Sequence, residues 1–130
     1  MRNVIPVVAL VLTAACASGG AQSAGPRVSR DLIVRAQIEQ MNAQDAYEIV
    51  RRMRPEYLRE QRGAASINST TPLLAVVYID GVRRGGPDVL RGMRPVEVEE
   101  IRFLSGTDAT TRYGTDHGGG AIEIKSRHGG

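Results

Sequence analysis

The feature that most constrains the fold is an almost wholly apolar run at positions 73–79, Leu-Leu-Ala-Val-Val-Tyr-Ile, which Asp80-Gly81 follows directly. A short run rich in β-branched residues is typical of a strand that is covered on both faces. Asp-Gly supplies the positive backbone angles of a tight hairpin turn. The sequence therefore predicts an inner strand here, with Val82 and Arg83 pairing back on it as a brief second strand.

The C-terminal third of the chain predicts two further strands joined by short helical turns. Pro95 is placed to begin one helical turn, which leads into a strand over 101–104. A second helical turn over 108–113 ends at Gly114. The last predicted strand, 121–125, alternates apolar with charged residues, so one face packs inward and the other meets water.

The segment 29–53 has helical periodicity. Two groups of apolar residues are expected on its buried face: Leu32, Ile33 and Ala36, then Ala46, Ile49, Val50 and Met53. Asn42, with Asp45 three residues later, has the spacing of an N-cap and predicts a break between two helices, although one continuous helix fits the same pattern. Pro55 ends whatever helix precedes it.

These elements predict an α+β fold, in which an N-terminal helical segment precedes a mixed sheet of three or four strands with short helical turns. At 130 residues, of which 42% are hydrophobic, the chain can hold one globular domain. A transporter barrel of about 22 strands needs roughly 220 residues for its strands alone. We therefore do not expect the chain to form a pore by itself.

The N-terminus resembles the signal of a bacterial lipoprotein. Arg2 precedes the uncharged apolar run 4–15, which is too short to span a bilayer, and the run closes on Leu-Thr-Ala-Ala before Cys16, the only cysteine. The resemblance implies removal of residues 1–15 and acylation of Cys16. Cleavage by ordinary signal peptidase remains the alternative. Because Ala17 rather than Asp follows the cysteine, the same resemblance implies a lipid-anchored protein on the periplasmic face of the outer membrane.

Residues 16–28 are mostly small and polar, so we expect a flexible tether between the membrane and a domain over 29–130. The sequence pI near 9.5 falls in the range of nucleic-acid-binding proteins. However, the arginines between positions 48 and 62 are interleaved with glutamates and have no aromatic platform beside them. A solvated helix face is the better interpretation, and no nucleic-acid partner is expected.

Four blocks in register resemble the plug domain of TonB-dependent outer-membrane receptors. They are Tyr78-Ile79-Asp80-Gly81, Pro95-Val96-Glu97-Val98-Glu99-Glu100-Ile101-Arg102-Phe103-Leu104, Tyr113-Gly114, and Gly118-Gly119-Gly120-Ala121-Ile122-Glu123-Ile124-Lys125. The resemblance covers residues 72–127, with a helical part over 29–58 before it. It implies a small plug-like module held at the membrane, without the barrel that receptors carry.

The candidate site residues fall into two groups. Structural turns are expected at Asp80, Gly81, Gly114, Gly118, Gly119 and Gly120. A candidate interaction loop comprises Arg112, Tyr113, Asp116 and His117. No nucleophile with a partnering base is evident, and Asp116 and His117 lack the spacing of known metal ligands, so no catalytic residue, metal or cofactor is predicted.

These observations favour a non-catalytic binding module on the outer membrane, with an envelope protein as its partner. An accessory role in nutrient or metal-complex uptake with a separate barrel protein is the alternative. A hydrolase or metal enzyme is disfavoured.

Overall fold

A computed structural model describes residues 29–60 and 73–127. Cys16, His128, the predicted export signal 1–15, the predicted tether 16–28 and residues 61–72 lie outside the described residues. The strands are β1 (Leu32–Val34), β2 (Val76–Ile79), β3 (Val82–Gly85), β4 (Val98–Leu104) and β5 (Ala121–Ser126). The α-helices are α1 (Arg35–Glu39), α2 (Ala46–Met53) and α3 (Gly106–Tyr113). Short 3-10 helices span Pro55–Leu58, Pro87–Gly92, Pro95–Glu97 and Thr115–His117.

The strands form one mixed sheet in the order β1-β4-β5-β2-β3. Only β2 and β5 run parallel, and the other three pairs are antiparallel. β5 is therefore the central strand, with β4 on one side and β2 on the other. The α+β class expected from the sequence is confirmed.

One face of the sheet packs against α1, α2 and the 3-10 helices Pro55–Leu58 and Pro87–Gly92. The fully buried residues of this core include Ile33, Val77, Ile101 and Ile122 from the strands. Their helical counterparts are Ile38, Ile49, Val50, Tyr57 and Leu90. The Tyr57 ring stacks on Phe103 with 4.6 Å between ring centroids. Aliphatic side chains thus form most of this core, as expected of a chain with only five aromatic residues.

The prediction of a helix beginning at residue 29 is wrong. Leu32 and Ile33 lie in β1, which pairs antiparallel with β4 through Ile33 opposite Ile101. Ala36, expected on a buried face, is exposed, and Ile38 is the buried residue of α1. Because the helical part contributes this strand, the sheet has five strands instead of the predicted three or four.

The break between the two helices is real, but the predicted cap residue is wrong. Asp45, not Asn42, caps α2 by accepting a hydrogen bond from the Glu48 N–H at 2.7 Å. The Glu48 carboxylate in turn accepts from the Gln44 N–H at 2.8 Å. Ala46, Ile49 and Val50 are buried as predicted.

The elements predicted for the second half of the chain are present, but two strands have other bounds than predicted. β2 begins at Val76 instead of Leu73, with Leu74 exposed before it, and β4 begins at Val98, three residues before the predicted strand. Asp80-Gly81 joins β2 to β3, and the 3-10 helix Pro95–Glu97 leads into β4. The helical turn expected over 108–113 is α3, and Gly114 follows it as its C-cap. Within the two described ranges, no helix has both the length and the hydropathy needed to cross a membrane.

Candidate binding surface

The second face of the sheet, opposite α1 and α2, carries three rows of residues set by the strand register. The first row is apolar: Leu104, Ala121 and Val76. The second is mixed: Arg102, Glu123, Tyr78 and Arg83. The third pairs Glu100 with Lys125. The polarity of this face therefore rises along the strands from one end of the sheet to the other.

Helix α3 covers the apolar end of this face. Ala109 is fully buried in a cluster with Tyr78 and Ala121, against which Leu104 and Tyr113 pack. The rings of Tyr78 and Tyr113 are stacked, with 3.9 Å between their centroids and 10° between their planes. Ring stacking of this kind stabilises a contact beyond the area that it buries.

His117 lies beside these two tyrosines and is only 3% exposed. Its Nδ1 is 2.9 Å from the Gly114 carbonyl oxygen, and its Nε2 is 2.7 Å from the Tyr78 hydroxyl. A carbonyl only accepts, so Nδ1 carries the proton in the neutral ring and the Tyr78 hydroxyl donates to Nε2. Both ring nitrogens are therefore engaged inside the fold. Including His117 in the candidate interaction loop is wrong, because the residue is buried.

Tyr113 connects α3 to the polar part of the face. Its hydroxyl donates a hydrogen bond to the Glu123 carboxylate, which also pairs with Arg112 at 3.2 Å. Burial, and then the hydrogen bond to Glu123, raise the pKa of Tyr113 to about 12. The phenol is thus neutral at physiological pH and holds the carboxylate in one position. Glu123 is the most enclosed acid of this group, with a side chain 18% exposed.

Asp80 anchors the other end of the same surface. It has φ +49°, followed by Gly81 at φ +79°, as expected of a tight hairpin turn. Its carboxylate accepts hydrogen bonds from the hydroxyl of Ser126 at 2.6 Å and from the N–H of Ser126 at 2.8 Å. These two hydrogen bonds, the hydroxyl first, hold the pKa of Asp80 below its usual range. The hairpin is thereby tied to the end of β5.

Between Tyr113 and Asp80 lies an open cleft of about 350 Å³. Its charged lining residues are Asp80, Glu100, Arg102, Arg112, Glu123 and Lys125. Arg102 pairs with Glu100 at 3.0 Å, and Arg112 with Glu123. The floor is therefore a set of alternating charges, and its three cations, Arg102, Arg112 and Lys125, are all exposed. We call these lining residues the polar cleft.

The structure explains the predicted glycines by two different effects. Gly81, Gly114 and Gly120 have φ of +79°, +102° and +87°, which disfavour any residue with a Cβ. Gly118 and Gly119 instead allow close approach: a Cβ on Gly119 would lie 2.5 Å from the Leu74 carbonyl oxygen. We call residues 114–120 the glycine-rich segment.

The structure brings together only part of the candidate interaction loop. Arg112 and Tyr113 line the polar cleft, whereas Asp116 is exposed outside it. Glu100, Arg102, Glu123 and Lys125 were missed as site residues. Their signal was the alternation of charged with apolar residues in β4 and β5, which places all four on one face.

The chemistry that the polar cleft offers is that of paired charges on an open surface. Within residues 29–60 and 73–127, no group of three or more His, Cys, Asp and Glu side chains is close enough to hold a metal ion. In the polar cleft, the Asp80 carboxylate accepts hydrogen bonds from Ser126, Glu100 pairs with Arg102, and Glu123 pairs with Arg112. Such a surface can offer oriented donors and acceptors to a polar partner.

Comparisons of the chain with family models, with curated proteins and with solved structures give no match.

Proposed function

We propose that this protein is a non-catalytic lipoprotein of the outer membrane, and that its plug-like α+β domain binds another envelope protein. The observation that carries the binding function is the polar cleft, an open sheet surface whose side chains are fixed from both ends. The Tyr113–Glu123 hydrogen bond fixes one end, and the Asp80–Ser126 hydrogen bonds fix the other. A surface held in this way loses little side-chain entropy on binding.

The location is proposed from the sequence. The apolar run that closes on Cys16 supports lipid attachment, and Ala17 supports sorting to the outer membrane. The likeness of residues 72–127 to receptor plug domains supports a place near the receptors themselves. In the structure the four resembling blocks correspond to the β2–β3 hairpin, β4, the end of α3 and β5.

The test is co-purification of the full chain from detergent-solubilised outer membranes, after crosslinking in intact cells. Lys125→Glu reverses one exposed cation of the polar cleft without breaking the Arg102–Glu100 and Arg112–Glu123 pairs, and should remove the captured partner. Arg59→Glu makes the same charge change at an exposed residue beyond the 3-10 helix Pro55–Leu58, away from the cleft, and should leave capture unchanged.

Equal capture by both variants would contradict a binding role for the polar cleft. The identity of a captured protein distinguishes the two functions that the sequence left open. A barrel receptor that is lost with Lys125→Glu supports the accessory uptake role, whereas a periplasmic or peptidoglycan-associated protein supports the general interaction role.

A further inference from the structure

β3 is an exposed edge strand of the sheet. It is last in the strand order, and among the described residues only β2 pairs with it. Val82, Arg83 and Arg84 are all exposed, with Val82 at 53%. The opposite edge, β1, is shorter, half-buried and continues directly into α1. An exposed edge is a ready template for a further strand.

The backbone directions along β2 show which groups of β3 point outward. The N–H groups of Val76 and Asp80 donate to Gly120 and Ile124 on the β5 side, at 3.0 and 2.9 Å. Because these directions alternate along a strand, Tyr78 also faces β5, and Ile79 faces β3. Arg83 lies opposite Tyr78, so its N–H and C=O point away from β2.

The bulge in this hairpin interrupts the ladder next to Arg83. Tyr78 pairs with Arg83 but Val77 pairs with Gly85, which leaves Arg84 as the extra residue of β3. The extra residue of a bulge is left out of the regular ladder. The backbone groups of this edge that point outward to a partner are therefore those of Arg83.

The β3 edge also carries two positive charges, on Arg83 and Arg84. Neither Arg83 nor Arg84 forms an ion pair within the described ranges, whereas Arg91, Arg94, Arg102 and Arg112 do. Cross-strand neighbours lie about 4.5–5.5 Å apart at Cβ, so a docked strand would place its side chains against these guanidinium groups. A second copy of β3 would bring like charges together, which disfavours self-pairing. Carboxylates complement them.

We propose that β3 binds an extended acidic segment of a partner protein, which adds as a sixth strand beside Arg83 and Arg84. This inference deepens the proposed interaction function and rests on it. The backbone of the segment would hydrogen-bond to Arg83, and its carboxylates would pair with the two arginines. The partner would thus be recognised by main-chain shape and by charge together.

The first test measures, by fluorescence anisotropy, the binding of a labelled synthetic peptide to the full chain in detergent. The peptide repeats Glu-Glu-Val, so that an added strand presents carboxylates on both of its faces. The matched peptide has Lys in place of Glu. We expect the Glu peptide to bind at least about 10-fold more tightly. The double variant Arg83→Glu/Arg84→Glu should reverse this preference, and Arg59→Glu should not change it. Equal affinity for the two peptides would overturn the proposal.

The second test separates the backbone from the charge. Arg83→Ala removes one guanidinium, whereas Arg83→Pro also removes the outward N–H, which the β2–β3 ladder does not use. We expect Arg83→Pro to bind about 2- to 10-fold more weakly than Arg83→Ala, the net effect of one hydrogen bond. If Arg83→Pro fails to fold, a Glu peptide with one central Val replaced by Pro makes the same comparison from the other side. Equal binding in these pairs would exclude strand addition.

The outcome also separates this inference from the proposed function. If Arg83→Glu/Arg84→Glu still captures the envelope partner while Lys125→Glu does not, the edge proposal fails and the polar-cleft proposal stands. If neither variant changes capture, both fail. If the double variant alone loses capture and the peptides bind as expected, the edge and not the cleft is the binding site.

Discussion

Replacing Gly120 by Ala tests the closest approach between the glycine-rich segment and the sheet. Gly120 immediately precedes β5, with φ +87°. Its N–H donates to the His117 carbonyl at 2.8 Å, and its own carbonyl accepts from the Val76 N–H at 3.0 Å. An added Cβ would lie 2.6 Å from the Leu104 carbonyl oxygen and 2.9 Å from the Phe103 ring. The backbone is held on both sides, so it has little freedom to move away.

The expected loss combines two effects. A Cβ in the left-handed region costs about 1–2 kcal/mol, and overpacking costs about a further 1–3 kcal/mol. In a domain of this size, 1 kcal/mol shifts Tm by roughly 4–8 °C. Gly120→Ala should therefore lower Tm by roughly 10 °C or more. A loss near the upper limit would leave the domain unfolded at room temperature, since small domains have only about 5 kcal/mol of stability in total.

Two matched variants isolate these effects. Gly81 has φ +79° but open space where a Cβ would be, so Gly81→Ala should show the backbone cost alone. Gly92→Ala has open space and no positive φ, and should melt close to wild type. All three changes reduce the entropy of the unfolded chain equally, so that contribution cancels in the comparison.

The assay is thermal melting of the full chain in detergent, followed by circular dichroism. We expect Gly92→Ala to have the highest Tm of the three variants and Gly81→Ala a lower one. Gly120→Ala should have the lowest Tm or fail to fold. If Gly120→Ala melts within about 2 °C of Gly92→Ala, the conclusion that Gly120 lies tightly against β4 is wrong.

Three further predictions concern single side chains. Asp80→Asn keeps a residue that tolerates positive φ but removes the charge. Because the folded-state pKa of Asp80 is depressed, its stabilisation is present above pH about 4 and is lost at lower pH, so the Tm gap to wild type should close on acidification. His117→Phe leaves the Tyr78 hydroxyl and the Gly114 carbonyl without their buried partner, and should cost about 2–4 kcal/mol in urea unfolding; an unchanged midpoint would contradict the burial of this ring. Cys16→Ala should abolish fatty-acid labelling of the chain, and continued labelling would exclude this cysteine as the lipid site.

The N-terminal strand shows why part of the fold was not predictable. β1 has only three residues, which is too short to show the two-residue period of a strand. Its apolar residues also fit the first turn of a helix. Pairing with β4, far along the chain, decides between the two, and Arg35 reinforces that choice by donating to the carbonyls of Pro95 and Val98 at 2.7 and 3.0 Å. Such long-range contacts leave no local signal.

The cap of α2 was ambiguous for a different reason. Asn42 and Asp45 each have an acidic residue three positions later, so both satisfy the local rule. The structure selects Asp45 because the Ala46 N–H donates to the Met93 carbonyl at 2.9 Å, which fixes where the helix can begin. The local sequence rule thus gave two candidate caps, Asn42 and Asp45, and a tertiary hydrogen bond determines which of them caps α2.

His117 shows why the candidate site could be predicted only in part from the sequence. A histidine within a glycine-rich segment looks exposed by sequence, and its hydroxyl partner, Tyr78, is distant in the chain and lies within an apolar run. The partner becomes evident only once the register places Tyr78 on the face that α3 covers. The hairpin and the glycine turns were predictable because their constraint is the backbone angle of single residues.

The extent of the polar cleft follows from the length of α3. A helix of eight residues is about 12 Å long, whereas β4, with seven residues, extends about 23 Å. The helix can therefore cover only about half of a strand, and it ends at Tyr113, whose hydroxyl bonds to Glu123. Apolar residues of β4 and β5 lie under the covered half, and charged residues lie beyond it. Along β4 and β5, the sequence changes from apolar to charged residues on this face. That change indicates where α3 ends and where the polar cleft begins.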